Sequence, residues 1–598
     1  MQKQIRSREE LVREDTWAIE DLYKTDADWL SDLEKLKALG AKLPGYAGKI
    51  SKSAQKLLEY QKLGEDISVL LDRLANYAQR KSDEDTRDPV YQDLTGKLTK
   101  LWVQLGADTA FEVPELLSIS DEDMARFYEE EPGLKLYQRH FDSIRRKRAH
   151  ILSEREEKLL AMAGEMAGTP EEVYSLFADA DLTFKPALDK DGNEHPITQG
   201  SYIAAMESSD RVLRKNAFEN LYAGFGAYKN SVAAMLAGQV KQLEFFSKAR
   251  NYASPLEASL DATEVPVSVY HELIAAVHRN LDKMHRYTQL RKKLLGLEEL
   301  HMYDLYTPLV ETSDERIPFA EAKKTVAEAL GVMGPRYGAI LREGFENRWI
   351  DVYENVGKRS GAYSAGARVH PYVLLNYTGT LDSEFTLAHE MGHAIHSYLS
   401  NKHQPVVYSD YVIFVAEVAS TCNEALLMQH LLKKTTDKKE RAYLVNHFLE
   451  QFRTTLYRQT MFAEFELKMA ELSSSGVTLT ADVLCEEYRR LNEAYYGPDI
   501  VLDEQIALEW ARIPHFYYNY YVFQYATGYA AAIALSEGIL AEGEPAVERY
   551  LGFLSGGCSK SPIELLRGAG VDMTTTEPVE KALSLFGRLL DEMEALTA

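Results

Sequence analysis

The sequence predicts a mainly α-helical protein in which a small antiparallel β-sheet lies beside one long helix. Two observations support this fold class. Apolar residues recur at spacings of three and four over most of the 598 residues, and two short islands interrupt that pattern with glycines, prolines and β-branched or aromatic residues. No repeat of fixed period and no low-complexity tract is present, which argues against a solenoid.

The first half of the chain divides into two helical regions. Residues 1–180 read as a helical N-terminal lobe, and residues 181–356 as a helical region that opens with a β-hairpin. The hairpin is predicted at LTFKPALDKDGNEHPI, where a D-G-N turn separates two alternating stretches. Gly296 is expected to end a helix, because glycine tolerates the left-handed conformation found there.

The second half opens with the other non-helical island. Residues 357–434 are predicted to hold the small sheet, with a strand at 371–377, followed by two helices. Residues 435–598 are expected to form a C-terminal helical region. The strand runs directly into a helix rich in polar residues, and that helix indicates the chemistry.

Composition excludes several classes of partner. The formal charge of −24 repels phosphate backbones and anionic lipids, and the short basic run at 145–148 is typical of a solvated helix face, so we expect neither nucleic acid nor membrane as a partner. The charged start and the lack of a long apolar window favour a soluble protein. Three scattered cysteines, Cys422, Cys485 and Cys558, fit a reducing cytoplasm.

Residues 387–397, LAHEMGHAIHS, contain the spacing HExxH. On a helix, residues four apart lie one turn above each other, so His389 and His393 can offer imidazole nitrogens to one zinc ion. Glu390 then lies beside the open coordination position, where it is placed to act as a general base. Gly392 costs about 1 kcal/mol of helix stability relative to alanine, which predicts that another group approaches the backbone closely there.

A catalytic zinc site usually has three protein ligands, so one more must lie elsewhere. Glu417 interrupts the apolar run YVIFVAEVA, and a carboxylate buried in such a run needs a cation. His396 shares the face of the first helix, but three ligands at i, i+4 and i+7 do not easily converge. We therefore assign it a supporting or substrate-contacting position, with metal ligation as the alternative. Glu424 either fixes the tautomer of a ligating histidine or is an exposed helical glutamate.

A second polar cluster lies at residues 514–532, PHFYYNYYVFQYATGYAAA. Tyr521, Tyr525 and Tyr529 repeat every fourth residue, which predicts that their hydroxyls lie along one helical face near His515. Donors of this kind can stabilise the negative charge that develops during amide hydrolysis. The alternative, for any single tyrosine, is an aromatic core residue with a satisfied hydroxyl.

The metal site and the donors together predict amide hydrolysis without a covalent intermediate. A zinc ion would activate water, and Glu390 would carry the proton to the departing amine. The strand at 371–377 has two candidate roles in such an enzyme. It either pairs with an extended peptide, as edge strands do, or supports the zinc helix as a buried strand.

Five segments spread over nearly the whole chain carry a family resemblance: DTWAIEDLY, GKRSGAYS, HEMGHAIH, AEVASTCNE and HFYYNYYVFQYATGY. On these segments the chain resembles the oligoendopeptidase F family, in the thimet oligopeptidase group of zinc metallopeptidases. The resemblance implies a two-lobed zincin-type metallopeptidase with a deep channel between the lobes. It further implies one zinc ion and endopeptidase cleavage of short unstructured peptides in the cytoplasm.

Carried over residue by residue, the resemblance supports His389, His393 and Glu417 as zinc ligands and Glu390 as the base, so that residues 357–434 are a zinc-binding core. It also implies that His515 and a following tyrosine are oxyanion donors. Further assignments in the segment are Tyr521 and Tyr525 to catalysis, and Tyr518 and Tyr520 to substrate binding, beside His396.

Two rival hypotheses stay open at the level of sequence. The first is a non-enzymatic acidic helical interaction protein in which HEMGH is incidental, although it leaves Glu417 and Gly392 without a reason. The second pairs the ExxH of Glu390 and His393 with Glu298-Glu299-Leu300-His301 in a di-iron carboxylate site.

Overall fold

The computed structural model describes residues 5–310 and 316–598 of the chain. Helices dominate this described part, as the sequence predicts. They are α1 (Asp26–Gly40), α2 (Ala54–Glu84), α3 (Pro89–Asp108), α4 (Glu112–Ser118), α5 (Asp121–Glu130), α6 (Gln138–Arg145), α7 (Glu154–Ala167), α8 (Thr169–Leu176), α9 (Gln199–Met206), α10 (Arg211–Gly226), α11 (Lys229–Ala249), α12 (Pro255–Asp261), α13 (Val267–His278), α14 (Leu281–Leu294), α15 (Phe319–Ala329), α16 (Gly334–Glu346), α17 (Leu381–His403), α18 (Ile413–Lys434), α19 (Lys438–Gln451), α20 (Arg458–Ser474), α21 (Ala481–Tyr496), α22 (Phe523–Glu542), α23 (Glu544–Leu554), α24 (Pro562–Gly568) and α25 (Glu577–Thr597).

Short strands form small sheets between these helices. They are β1 (Ala187–Leu188), β2 (Glu194–His195), β3 (Leu300–His301), β4 (Ile350–Asp351), β5 (Tyr363–Ala365), β6 (Tyr372–Leu374) and β7 (Ile500–Val501). β1 pairs with β2 antiparallel, β3 pairs with β7 parallel, and the remaining strands have the order β4-β6-β5. In residues 5–310 and 316–598, we find no helix whose length and apolar character would let it cross a membrane.

The chain divides into two compact units, each assembled from three separate segments. The first unit comprises Met1–Ala149, Glu315–Leu427 and Leu535–Gly570, and the second comprises His150–Asp314, Met428–Ala534 and Val571–Ala598. The four regions predicted from sequence are contiguous, because changes of sequence texture follow the chain. The units instead follow tertiary contacts, which bring distant segments together.

The core of the first unit joins the N-terminal segment to the sheet before α17. Trp17 and Trp29 are buried in this core, and the Trp17 ring meets Tyr372 of β6 edge to face at 6.1 Å. The backbone N–H of Val352 donates to the carbonyl oxygen of Asp15 at 2.9 Å. The segment DTWAIEDLY therefore supports the strands that lead into the HEMGH helix.

The sheet before α17 differs from prediction in two respects. β5 pairs antiparallel with β6 as expected, but β4 pairs with β6 in parallel, so the sheet is mixed. β6 is fully buried and occupies the central position, where both of its edges are already paired. The edge-strand role of 371–377 as a peptide partner is therefore wrong, and the alternative of a buried supporting strand is confirmed.

Two local predictions in the second unit are confirmed. β1 and β2 form the expected hairpin, and Gly192 in its turn has a φ of 82°, which glycine adopts without steric cost. Gly296 follows the end of α14 with a φ of 64°. Local turn chemistry is therefore readable from sequence at both positions.

Candidate active site

The HEMGH motif lies on α17, which begins at Leu381 and is capped by Thr380. The Thr380 hydroxyl accepts a hydrogen bond from the backbone N–H of Ser383. The apolar residues of this helix are buried, and they hold it in the interior of the first unit. His389 and His393 project from the same face, with their Nε2 atoms 3.1 Å apart.

Helix α18 brings Glu417 to the same two nitrogens. Glu417 Oε2 lies 3.5 Å from His389 Nε2 and 3.7 Å from His393 Nε2. Donor atoms about 2.0–2.2 Å from one tetrahedral zinc ion lie about 3.4 Å from each other, so these separations fit a shared ion. Among the described residues, these three form the group of metal-ligating side chains whose donor atoms converge, all within 4.8 Å.

Gly392 permits the close approach of α17 and α18. A Cβ atom at this position would lie 2.6 Å from Ser420 Cα and 2.7 Å from the carbonyl oxygen of Ala419. The prediction that another group approaches the backbone at Gly392 is confirmed. The close crossing is what places Glu417 of one helix beside the histidines of the other.

A buried hydrogen-bond chain, missed in the sequence, holds the same crossing. Asn423 Nδ2 on α18 donates to the carbonyl oxygen of Ala388 on α17 at 3.0 Å. Asn423 Oδ1 accepts from the hydroxyl of Tyr337 on α16 at 2.7 Å. The asparagine directly before Glu424 was the available indication, but its partner on α16 lies 86 residues away in sequence.

Glu424 binds the other ring nitrogen of His389. Its Oε1 atom accepts a hydrogen bond from His389 Nδ1. With the proton on Nδ1, the lone pair of Nε2 faces Glu417 and His393. The predicted hydrogen bond from Glu424 to a histidine of the motif is confirmed, and the alternative of an exposed helical glutamate is wrong.

Burial and neighbouring charges shift the titration of the site. Burial lowers the pKa of His389, but the carboxylates of Glu424, Glu390 and Glu417 outweigh it and raise that pKa to about 9. Burial raises the pKa of Glu390 to about 7, opposed by His389 and reinforced by Glu417 and Glu424. Burial and the charge of His389 lower the pKa of His393 to about 3. A site this rich in carboxylates attracts a cation.

His396 is buried in the first unit, on the same helix as the motif. Its ring is 1% exposed and stacks on Tyr411 at 3.7 Å, with Phe553 at 5.4 Å on the same unit. The Tyr411 hydroxyl in turn hydrogen-bonds Ser397 at 2.9 Å. Of the roles that the sequence left open for His396, this packing favours the supporting one over contact with substrate.

Residues 514–532, here called the His/Tyr segment, belong to the second unit and form a ring cluster there. The His515 ring lies 5.5 Å from Tyr518, 6.4 Å from Tyr521 and 6.1 Å from Tyr525. Tyr521 and Tyr525 meet edge to face at 5.3 Å, and Tyr518 is 44% exposed. Burial and the nearby Arg458 lower the pKa of His515. We call His515, Tyr518, Tyr521 and Tyr525 the His/Tyr cluster.

Two predictions for this segment are wrong. Tyr521 precedes α22, which begins at Phe523, so the tyrosines do not share one helical face. Tyr520 is buried, and its ring packs edge to face on Tyr270 at 5.8 Å, so it is a core residue and not a substrate contact. Tyr529 is also buried, against Phe452.

The second ExxH segment of the di-iron hypothesis, residues 298–301, does not form a helix. His301 lies in β3, and its Nδ1 atom hydrogen-bonds Asp503 Oδ1 at 2.8 Å. Leu300 pairs with Ile500 in the β3–β7 sheet. A strand does not place a glutamate and a histidine three apart on one face, so this segment lacks the helical geometry that a di-iron half-site needs.

Known proteins resemble this chain over its full length. The model of peptidase family M3 matches residues 204–585, and the model of oligopeptidase F matches residues 115–184. Oligopeptidase PepF of Bacillus subtilis is 47% identical over 594 residues, which is 99% of this chain and 89% of that protein. An oligoendopeptidase F homolog of Lactococcus lactis is 42% identical and covers 99% of this chain and 98% of its own length.

Solved structures agree with these relatives. The crystal structure of oligoendopeptidase-F from Enterococcus faecium is 36% identical, with a TM-score of 0.75, and covers 96% of this chain and 99% of that chain. A crystal structure from Chlamydophila abortus is 35% identical, with a TM-score of 0.93, and covers 99% of this chain and 100% of its own.

Proposed function

The chain belongs to peptidase family M3, and from this premise we propose that His389, His393 and Glu417 hold one zinc ion for the hydrolysis of short peptides. The protein is an oligopeptide-hydrolysing metallopeptidase. Family membership supports neither the interaction-protein hypothesis nor the di-iron hypothesis. The observation that carries the zinc proposal is the convergence of three donor atoms within 4.8 Å.

The donor set suits zinc because it combines two imidazole nitrogens with one carboxylate oxygen. A bound zinc ion supplies a Lewis acid that activates water and polarises the carbonyl of the scissile bond. Glu424 holds the proton of His389 on Nδ1, which leaves Nε2 free to bind metal. The crossing at Gly392 fixes the distance between the two histidines and Glu417.

Glu390 is the proposed general base. It follows His389 directly, is buried, and has an Oε2 atom without a hydrogen-bond partner among the described residues. A carboxylate oxygen in that state is available to take the proton of an attacking water and to pass it to the departing amine. Because Glu390 directly follows the proposed ligand His389, coordination of the same ion by Glu390 is disfavoured. We therefore assign it proton transfer and not metal binding.

His515, Tyr521 and Tyr525 are the proposed donors to the oxyanion. An imidazole and two phenols supply N–H and O–H donors, which stabilise negative charge on a carbonyl oxygen as it develops. Tyr518 is the most exposed tyrosine of the His/Tyr cluster, and we assign it to substrate contact. Tyr520 is left out because its ring is in the core.

The proposed substrates are short unstructured peptides, cleaved internally by endopeptidase action in the cytoplasm. The names of the relatives, oligopeptidase and oligoendopeptidase, support this substrate class. Within the described residues no disulfide joins Cys422, Cys485 and Cys558, which suits a reducing compartment.

Metal content and peptide turnover test the proposal together. We expect Glu390→Gln to retain about one zinc ion per chain and to lose nearly all cleavage of a quenched fluorescent peptide. Asp382→Asn, an acid in the first turn of the same helix, is the matched control and should retain both. A Glu390→Gln protein with full turnover would sink the assignment of the base.

A further inference from the structure

The chain makes an unusual turn inside the His/Tyr segment. Asn519 and Tyr520 are consecutive residues with φ values of 58° and 61°. Asparagine tolerates this left-handed conformation because its short side chain hydrogen-bonds locally, but a tyrosine does not favour it. Two such residues in succession persist only where surrounding groups hold them.

Two buried polar side chains from neighbouring helices hold this turn. Gln239 of α11 donates from Nε2 to the carbonyl oxygen of Tyr517 at 2.9 Å and to Asn519 Oδ1 at 2.7 Å. Glu466 of α20 accepts at Oε1 from the backbone N–H of Tyr520 at 3.0 Å. Gln239 is 3% exposed and Glu466 is 5% exposed, so solvent is poorly placed to replace either contact. We call these two residues the turn clamp.

The turn lies between two members of the His/Tyr cluster. Tyr518 precedes it and Tyr521 follows it, and both rings return to His515, at 5.5 and 6.4 Å. A change in the two left-handed residues would redirect Tyr521 and the start of α22. The placement of the proposed oxyanion donors therefore depends on the conformation at Asn519 and Tyr520.

We propose that Gln239 and Glu466 are positioning residues for hydrolysis, because they hold the Asn519–Tyr520 turn in the conformation that brings the His/Tyr cluster together. The inference rests on the role of that cluster under the proposed function. Neither residue touches substrate in this proposal, and each acts through the backbone or side chain of the turn.

The chemistry of the clamp is unlike that of ordinary core packing. Glu466 Oε2 has no hydrogen-bond partner among the residues the structure describes. The hydrogen bond of this buried carboxyl group is the one that Oε1 accepts from the backbone N–H of Tyr520. An apolar side chain would fill the same space without the cost of desolvating a carboxyl group. Burial raises the pKa of Glu466 to about 8, so the group is protonated at neutral pH and glutamine closely matches it.

Steady-state kinetics of clamp variants test the proposal. We expect Glu466→Ala and Gln239→Leu each to lower kcat for a fluorogenic peptide about tenfold, with KM within about twofold and zinc content unchanged. Glu466→Gln keeps an acceptor oxygen for the Tyr520 N–H, and its kcat should stay within about twofold of wild type. If Glu466→Ala does not fold, the kcat of Gln239→Leu decides whether the proposal holds. Wild-type kcat in the folded clamp variants, or equal losses in Glu466→Ala and Glu466→Gln, would overturn the proposal.

A double-mutant cycle separates this inference from the function on which it rests. On a His515→Ala, Tyr521→Phe background, we expect Glu466→Ala to cause no further loss of kcat, because the clamp acts through those rings. A full additional tenfold loss on that background would overturn the inference while leaving the cluster's role intact. Wild-type kcat in the background protein itself would overturn the oxyanion role, and with it the inference.

Discussion

Replacing Gly392 by alanine tests the link between helix packing and the metal site. The added Cβ would lie 2.6 Å from Ser420 Cα, 2.7 Å from the Ala419 carbonyl oxygen and 2.9 Å from Ser420 N. All three are backbone atoms of α18, so no side-chain rotation relieves the clash. Ordinary contact begins at 3.4 Å, and the helices must therefore separate by about 0.8 Å.

This separation would pull Glu417 away from the histidines. Its Oε2 atom lies 3.5 and 3.7 Å from the two Nε2 atoms, and both distances would grow to more than about 4 Å. Overpacking typically costs about 1–3 kcal/mol, and the better helix propensity of alanine returns about 1 kcal/mol. We expect a net loss of stability of up to about 2 kcal/mol and a fall in zinc affinity of about tenfold or more.

Chelator competition for zinc and a thermal melt measure the two effects of Gly392→Ala. The control is Gly552→Ala on α23, where a Cβ would meet no atom within 4 Å. That variant should bind zinc like wild type and gain up to about 1 kcal/mol of stability from helix propensity. Zinc affinity and thermal midpoint unchanged in Gly392→Ala would refute the reasoning.

Two further predictions concern the carboxyl groups of Glu424 and Glu466. Glu424→Ala should weaken zinc binding about 10–100-fold, because His389 loses the partner that fixes its tautomer. Chelator competition measures the zinc affinity, and an affinity equal to that of wild type would contradict the prediction. Burial raises the pKa of Glu466 from 4.5 to about 8. Between about pH 5 and pH 8, the folded protein therefore keeps a proton on this carboxyl group that the unfolded chain releases. The stability of wild type relative to Glu466→Gln should therefore fall between pH 5 and pH 8 by about 3 kcal/mol, measured by denaturant unfolding. A difference that does not vary with pH would count against a protonated Glu466.

The group of three side chains proposed to bind metal is largely predictable, because the features that indicate it are local in sequence. Helical spacing places His389 and His393 together, and an acid in an apolar run identifies Glu417 as their partner. The helix cost of Gly392 indicates, from residue type alone, that another group approaches the backbone there. Each inference uses only neighbouring residues and a general rule.

Other features depend on contacts that local sequence does not encode. Tyr337 of α16 donates a hydrogen bond to Asn423, and no sequence pattern around either residue predicts this contact. The left-handed conformation of Tyr520 is contrary to the preference of its residue type, and the turn places a predicted substrate contact in the core. β4 has two residues, too few to reveal that it pairs with β6 in parallel.

Anomalous diffraction at the zinc absorption edge tests the metal assignment most directly. In crystals of the zinc-loaded protein we predict one strong peak per chain, about 2.0–2.2 Å from His389 Nε2, His393 Nε2 and an oxygen of Glu417. A peak ligated by other residues, or no peak in protein that cleaves peptide, would contradict the assignment of these three residues as the zinc ligands.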